Sequence, residues 1–551
     1  MLRRSIATAT VLAVAMVASA QSQSVTVPAP DGTPLATDIY LPPGSGPWPV
    51  LLSRTPYDKS DERELGIVAS ILGIAYVTQD TRGRFASGGA DTVFRDDGAD
   101  GHATLDWVLA QPWCNGRVAT WGPSALGITQ YMMAPGADPR LVCQMPIVAT
   151  PDLYADAAFP GGAFREALLV NWLSGQGSLD VLDDFLAHRL RDAWWEPLDA
   201  LSRAADVRAA GLHLGGWYDI FREGTLDAFR TIQQNGGAGA RGRQYLVVGP
   251  WTHGDYGLNA AGQLTYPPNA VLDLDDLLLE WLDHCFNDGP SAVDDWPAVR
   301  VYLMGAVGEA GAPGNRWIGL ASWPPAVSTM SLFLAPGGLL SPDPPLSAGL
   351  GTLTIDPADA VPTLGGANLF PDLVVDGRPM GDGPWDQGAI ESRSDVMTFT
   401  TDPLDQPVTV MGPVRVRLWI EPDTPDLDLA VRLTDVYPDG RSMLVSDGIA
   451  RARARCGDDR ECLLTEGLPT EIEVDVGSTA IAFNAGHRIR IVVSGTNWPR
   501  FEVNPNHGAP FDSDLPPRIA RPVLLGGPEH PSRLELPVPV SPRRVTSRYP
   551  E

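Results

Sequence analysis

The chain has 551 residues, with 67 acidic and 40 basic side chains and a formal net charge of −27. Such an excess repels phosphate backbones and anionic lipid surfaces, so neither nucleic acid nor a membrane surface is an expected partner. Lys59 is the only lysine, which leaves no Gly-Lys-Ser/Thr phosphate loop and a single candidate for Schiff-base chemistry.

Arg3-Arg4 precede an apolar stretch, Ile6 to Val17, that ends in Ala18-Ser19-Ala20. Residues 1–20 therefore read as a secretory signal cleaved near Ala20, too short to favour a membrane anchor. The expected destination is a periplasm or the medium. No later segment approaches 18 unbroken apolar residues. About 530 residues remain, too many for one core, and predict two or three domains.

Residues 21–150 alternate apolar runs with helical text. Val50–Ser53, Ile74–Gln79 and Arg117–Trp121 are predicted strands; His102–Gln111 and Ala125–Ala134 are predicted helices. That alternation argues for a parallel sheet with crossover helices. Residues 151–208 change to acidic, aromatic text, with helical spacing over Phe164–Leu173 and Leu179–Leu190, the place for a helical cap. Sheet-like text resumes in 209–296 and closes on a helix, Val271–Cys285. Residues 297–551 are β-rich, with Val299–Met304, Val408–Ile420, Leu427–Thr434, Thr470–Val476 and His487–Ser494 as strands. Their spacing suggests a two-sheet sandwich. It is expected to buttress the first domain rather than bind carbohydrate.

Three polar groups each follow an apolar run. Val118 to Pro123 leads into Ser124, with Gly122 and Gly127 on either side; a plain Gly-Ser turn opening a helix gives the same text. Leu212 to Tyr218 leads into Asp219, which could equally cap the helix that follows. Gln244 to Gly249 leads through Pro250-Trp251-Thr252 to His253. The order Ser, Asp, His is that of α/β-hydrolases, whose catalytic groups sit on loops after successive parallel strands. The spacing Gly-x-Ser-x-x-Gly differs from the usual Gly-x-Ser-x-Gly elbow. His213 is a rival base, but inside an apolar run it reads as buried structure.

These segments resemble the CocE/NonD hydrolases, a family that includes cocaine-esterase-type, glutaryl-acylase-type and Xaa-Pro dipeptidyl-peptidase enzymes. The matching text is Arg54-Thr-Pro-Tyr57, Gln79-Asp80-Thr-Arg82-Gly83, Gly122-Pro-Ser124, Gly216-Trp217-Tyr218-Asp219, Gly249-Pro250-Trp251-Thr-His253 and Asn497-Trp-Pro499-Arg500-Phe501. The resemblance implies an α/β-hydrolase domain with a helical cap and a C-terminal jelly roll. It implies Ser124 as nucleophile, His253 as base and Asp219 as orienting acid. It also implies an oxyanion hole formed by the Tyr57 hydroxyl and the Ala125 N–H. Family members often carry tyrosine after the nucleophile; here only the N–H of Ala125 is needed. Without the resemblance, Tyr57 could be a packing tyrosine, and Lys59 is read as solvated or as supporting its loop.

No His-Glu-x-x-His, Cys-x-x-Cys pair or calcium loop occurs, and no metal or cofactor is needed. A disulfide is expected between Cys456 and Cys462; Cys114, Cys143 and Cys285 read as small core residues. Tyr154, Phe159, Phe164, Trp172, Trp217 and Phe221 could line an aromatic acyl pocket or belong to ordinary core. Asp152, Asp156 and Glu166 could hold a substrate ammonium. The reading favours a carboxylic ester hydrolase over a dipeptidyl-peptidase or acylase acting on amides or short peptides. An acyltransferase and a non-catalytic secreted binding protein remain as alternatives.

Overall fold

Strand text in the first 320 residues condenses into one mixed sheet. The computed structural model describes residues 21–346 and 349–540; the predicted signal, 1–20, lies outside them. The strands are β1 (Gln21–Pro28), β2 (Pro34–Leu41), β3 (Trp48–Thr55), β4 (Ala75–Asp80), β5 (Cys114–Pro123), β6 (Leu141–Ile147), β7 (Ala210–Tyr218) and β8 (Gln244–Thr252). They are followed by β9 (Val299–Gly305) and β10 (Arg316–Leu320). Pairing runs β1-β2-β4-β3-β5-β6-β7-β8-β9-β10, and the block from β4 to β9 is parallel. Every residue of β7 is buried, as expected of a central strand covered on both faces.

Helices cover both faces: α1 (Arg63–Ile71), α2 (Asp97–Leu109), α3 (Ala125–Met133), then α4 (Glu166–Gln176) and α5 (Leu182–Ala187) in the insertion, and α6 (Arg222–Asn235) and α7 (Leu274–Phe286). All nine residues of α3 are buried, so it carries no polar face. The insertion at 151–208 is less regular than its spacing predicts. The helix expected over Leu179–Leu190 shrinks to α5, because His188 leaves helical geometry (φ −113°, ψ 51°). Tyr154, Phe159, Phe164, Phe185 and Trp195 form the core of this cap.

The C-terminal domain is all-β. One antiparallel set joins Val327–Ala335, Arg533–Pro539, Val408–Glu421 and Thr470–Phe483; the other joins Met397–Thr400, Arg488–Ser494, Asp428–Val436 and Ser442–Arg451. Alternate residues of both sets, such as Val414, Val416, Leu418, Leu429, Val431 and Ile491, meet in one apolar core. The expected boundary at 296 falls at a seam that both sheets share. β9 and β10 extend the α/β sheet, with Val299 paired beside Leu246, and the last residues of β9 also pair beside Ile481 and Ala482.

Cys456 and Cys462 are bonded. The expectation for Cys143 and Cys285 is corrected: they form a second disulfide, joining β6 to α7 across 142 positions. Only Cys114 is free among the described cysteines. Such a crosslink removes freedom from the unfolded chain. Cys143→Ser is expected to cost about 2–5 kcal/mol, read as a drop in melting temperature that reductant reproduces in the unmutated protein. Among the described residues no helix is long and apolar enough to cross a membrane, and no group of His, Cys, Asp or Glu is placed to hold a metal ion.

Candidate active site

Ser124 stands where β5 turns into α3, with backbone angles φ 55° and ψ −122°. Few side chains tolerate this region, and strain of this kind concentrates at functional sites. The glycines around it are required by contact. A Cβ on Gly122 (φ 145°) would lie 2.4 Å from the Leu126 Cβ, and one on Gly127 would lie 2.5 Å from the Ala149 Cβ. The turn thus packs Leu126 over Gly122 and brings α3 against the residues after β6, which accounts for the shifted second glycine.

Asp219 follows β7 and His253 follows β8, so the parallel strands β5, β7 and β8, with β6 between the first two, deliver the three groups to the C-terminal end of the sheet. The Ser124 Oγ and His253 Nε2 are 2.9 Å apart, and His253 Nδ1 is 2.7 Å from Asp219 Oδ1. A carboxylate only accepts, so Nδ1–H donates to Asp219 and the bare Nε2 accepts from the serine hydroxyl. Asp219 and His253 are buried, and Phe221 packs edge-on to the imidazole at 5.7 Å. Asp219 does not cap the next helix: α6 has Phe221 at its cap position and no side-chain cap bond.

His213 is structural. It is buried between the Tyr131 hydroxyl and Gln244 Oε1, and burial pulls its pKa down to about 4.

Tyr57 lies across from Ser124, with its hydroxyl accepting from Trp172 Nε1 at 3.0 Å. Burial pushes its pKa up, while hydrogen bonding with Trp172 and Ser124 pulls the other way. Lys59 supports this loop: its ammonium contacts Asp38 (3.3 Å) and Asp80 (3.9 Å), and its N–H donates to Asp80. The Ala125 N–H opens α3, where the first N–H groups have no intrahelical acceptor and the helix dipole favours negative charge.

Above Ser124 is an apolar pocket. Its walls include Ile128, Leu168, Leu169, Trp172, Phe221 and Leu369, and no carboxylate is among its lining residues. Four of the six candidate wall residues lie elsewhere. Trp217 is fully buried on the far side of β7, donating to the Tyr302 carbonyl and packing on Trp323. Phe159 lies behind the pocket with Tyr154, Phe164 and Trp195, and Tyr154 and Phe164 are likewise core. The three carboxylates considered for an ammonium also lie elsewhere. Asp152 pairs with Arg191, Asp156 accepts from Thr150, and Glu166 is absent from the pocket wall.

Two contributors had no local signal. Leu369 reaches the pocket from the C-terminal domain, which therefore shapes the site as well as buttressing it. Arg165 is buried and donates to the carbonyls of Asp156, Ile220 and Ala367, tying the cap, the residue after Asp219 and the Leu369 segment together.

Comparison with known proteins agrees with this architecture. Residues 31–184 and 175–255 match the family described as X-Pro dipeptidyl-peptidase (S15 family), and 291–535 match the X-Pro dipeptidyl-peptidase C-terminal non-catalytic domain. An α-amino acid ester hydrolase superposes with TM-score 0.80 at 26% identity, over 94% of this chain and 97% of that one. An aminopeptidase from a marine-sediment Thaumarchaeota archaeon shares the fold, with TM-score 0.82 and 23% identity over 94% of this chain and 96% of its own. Cocaine esterase from Rhodococcus sp. (strain MB1 Bresler) is 32% identical over 94% of this chain and 98% of its own length. On that similarity, spanning both domains, the chain belongs to the CocE/NonD family of serine hydrolases.

Proposed function

We propose that this serine hydrolase cleaves carboxylic esters of apolar acids through an acyl-enzyme on Ser124. The observation that carries the reading is the pocket at Ser124, apolar on nearly every side and without a carboxylate. Such a wall favours a hydrocarbon acyl group, and it offers nothing to hold the free ammonium that a dipeptidyl-peptidase substrate brings.

In this reading His253 Nε2 takes the hydroxyl proton as Ser124 Oγ attacks the carbonyl carbon. Asp219 holds the imidazole tautomer and stabilises the imidazolium without being protonated itself. Charge collects on the carbonyl oxygen, where the Tyr57 hydroxyl and the Ala125 N–H donate to it. The protonated His253 then gives its proton to the leaving alcohol. Water, deprotonated by the same imidazole, attacks the acyl carbon and frees Ser124 with release of the acid. The reading extends to export: the signal-like residues 1–20 and two disulfides both suit an oxidising compartment.

Turnover of p-nitrophenyl butyrate and Gly-Pro-p-nitroanilide by the same mature protein tests the proposal. Ester turnover is expected to exceed anilide turnover by at least about 100-fold, since the ester needs neither an ammonium site nor firm protonation of a poor leaving group. Comparable or faster anilide cleavage would make the protein a dipeptidyl-peptidase and refute the ester assignment.

A further inference from the structure

The Tyr57 hydroxyl has a second partner that the mechanism does not use. Trp172 sits on cap helix α4 and directs its indole N–H at the Tyr57 oxygen from 3.0 Å. A phenol has one hydrogen, and it prefers orientations near the ring plane. An N–H arriving at the oxygen disfavours the orientation that would set hydrogen against hydrogen. It leaves the hydroxyl free to donate on the side of Ser124. It also draws electron density from the oxygen, and hydrogen bonds in series strengthen one another.

The indole is held firmly enough to impose that direction. Phe94 stacks on Trp172, with ring centroids 5.8 Å apart and planes 22° off parallel. Arg84 then ties the end of α4 to the Tyr57 loop. Its Nε donates to the Pro56 carbonyl at 3.2 Å, while the rest of the guanidinium bonds the Gln176 backbone carbonyl and side chain. Loop and cap helix are therefore joined at two points, one through the residue before Tyr57 and one through its hydroxyl. A wall residue needed only for apolar contact would require neither.

We infer that Trp172 is a positioning residue for the oxyanion hole: its indole N–H aims and polarises the Tyr57 hydroxyl, so the cap helps assemble the charge-stabilising site as well as enclosing the acyl group. The inference rests on the proposed oxyanion role of Tyr57.

A double-mutant cycle tests it, with kcat/KM for p-nitrophenyl butyrate as the readout and a thermal melt on every variant. Trp172→Phe keeps a ring against Phe94 and in the pocket wall but removes the N–H. Tyr57→Phe removes the oxyanion donor and is expected to cost about 100–1000-fold. Trp172→Phe alone should cost about tenfold, mostly in kcat, as a fraction of the donor's own effect. Added to Tyr57→Phe it should cost less than about twofold, because nothing remains to be aimed. The same loss in both backgrounds would mean that Trp172 acts by packing, and the inference would fail. No loss from Trp172→Phe in the native background would overturn it too. If Tyr57→Phe itself were harmless, the oxyanion reading would fall first and carry the inference with it. Should Trp172→Phe fold poorly, 3-benzothienylalanine at position 172 preserves the shape of indole without the N–H, and the same fold-changes are expected.

Discussion

Ser124→Ala is expected to reduce kcat on p-nitrophenyl butyrate by about 10⁶-fold and to abolish labelling by a fluorophosphonate probe, with the fold intact. The hydroxyl is the only group at this turn able to form the acyl bond. His253 Nε2 is 2.9 Å from it and placed to take its proton. No side-chain cap bond is lost, since Ser124 makes none, and alanine meets the same backbone strain that serine already bears. Stability should therefore change little. Residual activity of about 10³-fold over water would still come from the oxyanion donors and binding alone. Retention of full turnover in purified protein would show that the chemistry happens elsewhere.

Asp219→Asn should cost about 10⁴-fold in kcat with KM nearly unchanged. The Oδ1 atom accepts from His253 Nδ1 at 2.7 Å and so keeps the proton on that nitrogen. An asparagine can turn its NH₂ to the same nitrogen and stabilise the opposite tautomer. Nε2 would then carry the hydrogen and could not accept from Ser124. The substitution preserves volume and burial, so a thermal melt should separate it from a folding defect. The two losses should also rank: serine above aspartate by about two orders of magnitude, because losing Ser124 removes the acyl-enzyme route altogether, whereas losing the carboxylate leaves nucleophile and imidazole in place with the base held in the wrong tautomer. A loss of less than tenfold from Asp219→Asn would mean that another acid orients His253.

The sheet and the residues at its edge were legible because they follow local rules. Ser124, Asp219 and His253 each stand just beyond an apolar run, and a buried parallel strand must end where polar text begins. The pocket wall was legible only in part. Trp172 and Phe221 face it, whereas Trp217 and Phe159 do not. Successive side chains on a strand point to opposite faces, and the face that Trp217 takes depends on β9, far along the chain. Phe159 sits within a cluster of aromatics whose text is the same in a core as in a pocket. Leu369, the Cys143–Cys285 bond and Arg165 escape local reading for a common reason. Each joins segments that only the finished fold brings together, and no period of 2 or 3.6 residues encodes such a meeting. The double pairing of β9 was illegible for the same reason, because β9 reads as a strand whichever sheet receives it.

That strand has a consequence for how freely the C-terminal domain can be exchanged in evolution or engineering. β9 lies beside β8 for three residues and then beside the strand Thr470–Phe483 for two. A cut before it would bare the edge of β8 and expose apolar residues such as Val299 and Val301, while a cut after it would strip the other domain of its contact. The two halves therefore behave as one cooperative unit rather than as beads on a string. Swapping in a foreign β domain would succeed only if the graft carried its own version of that strand, in register with Leu246.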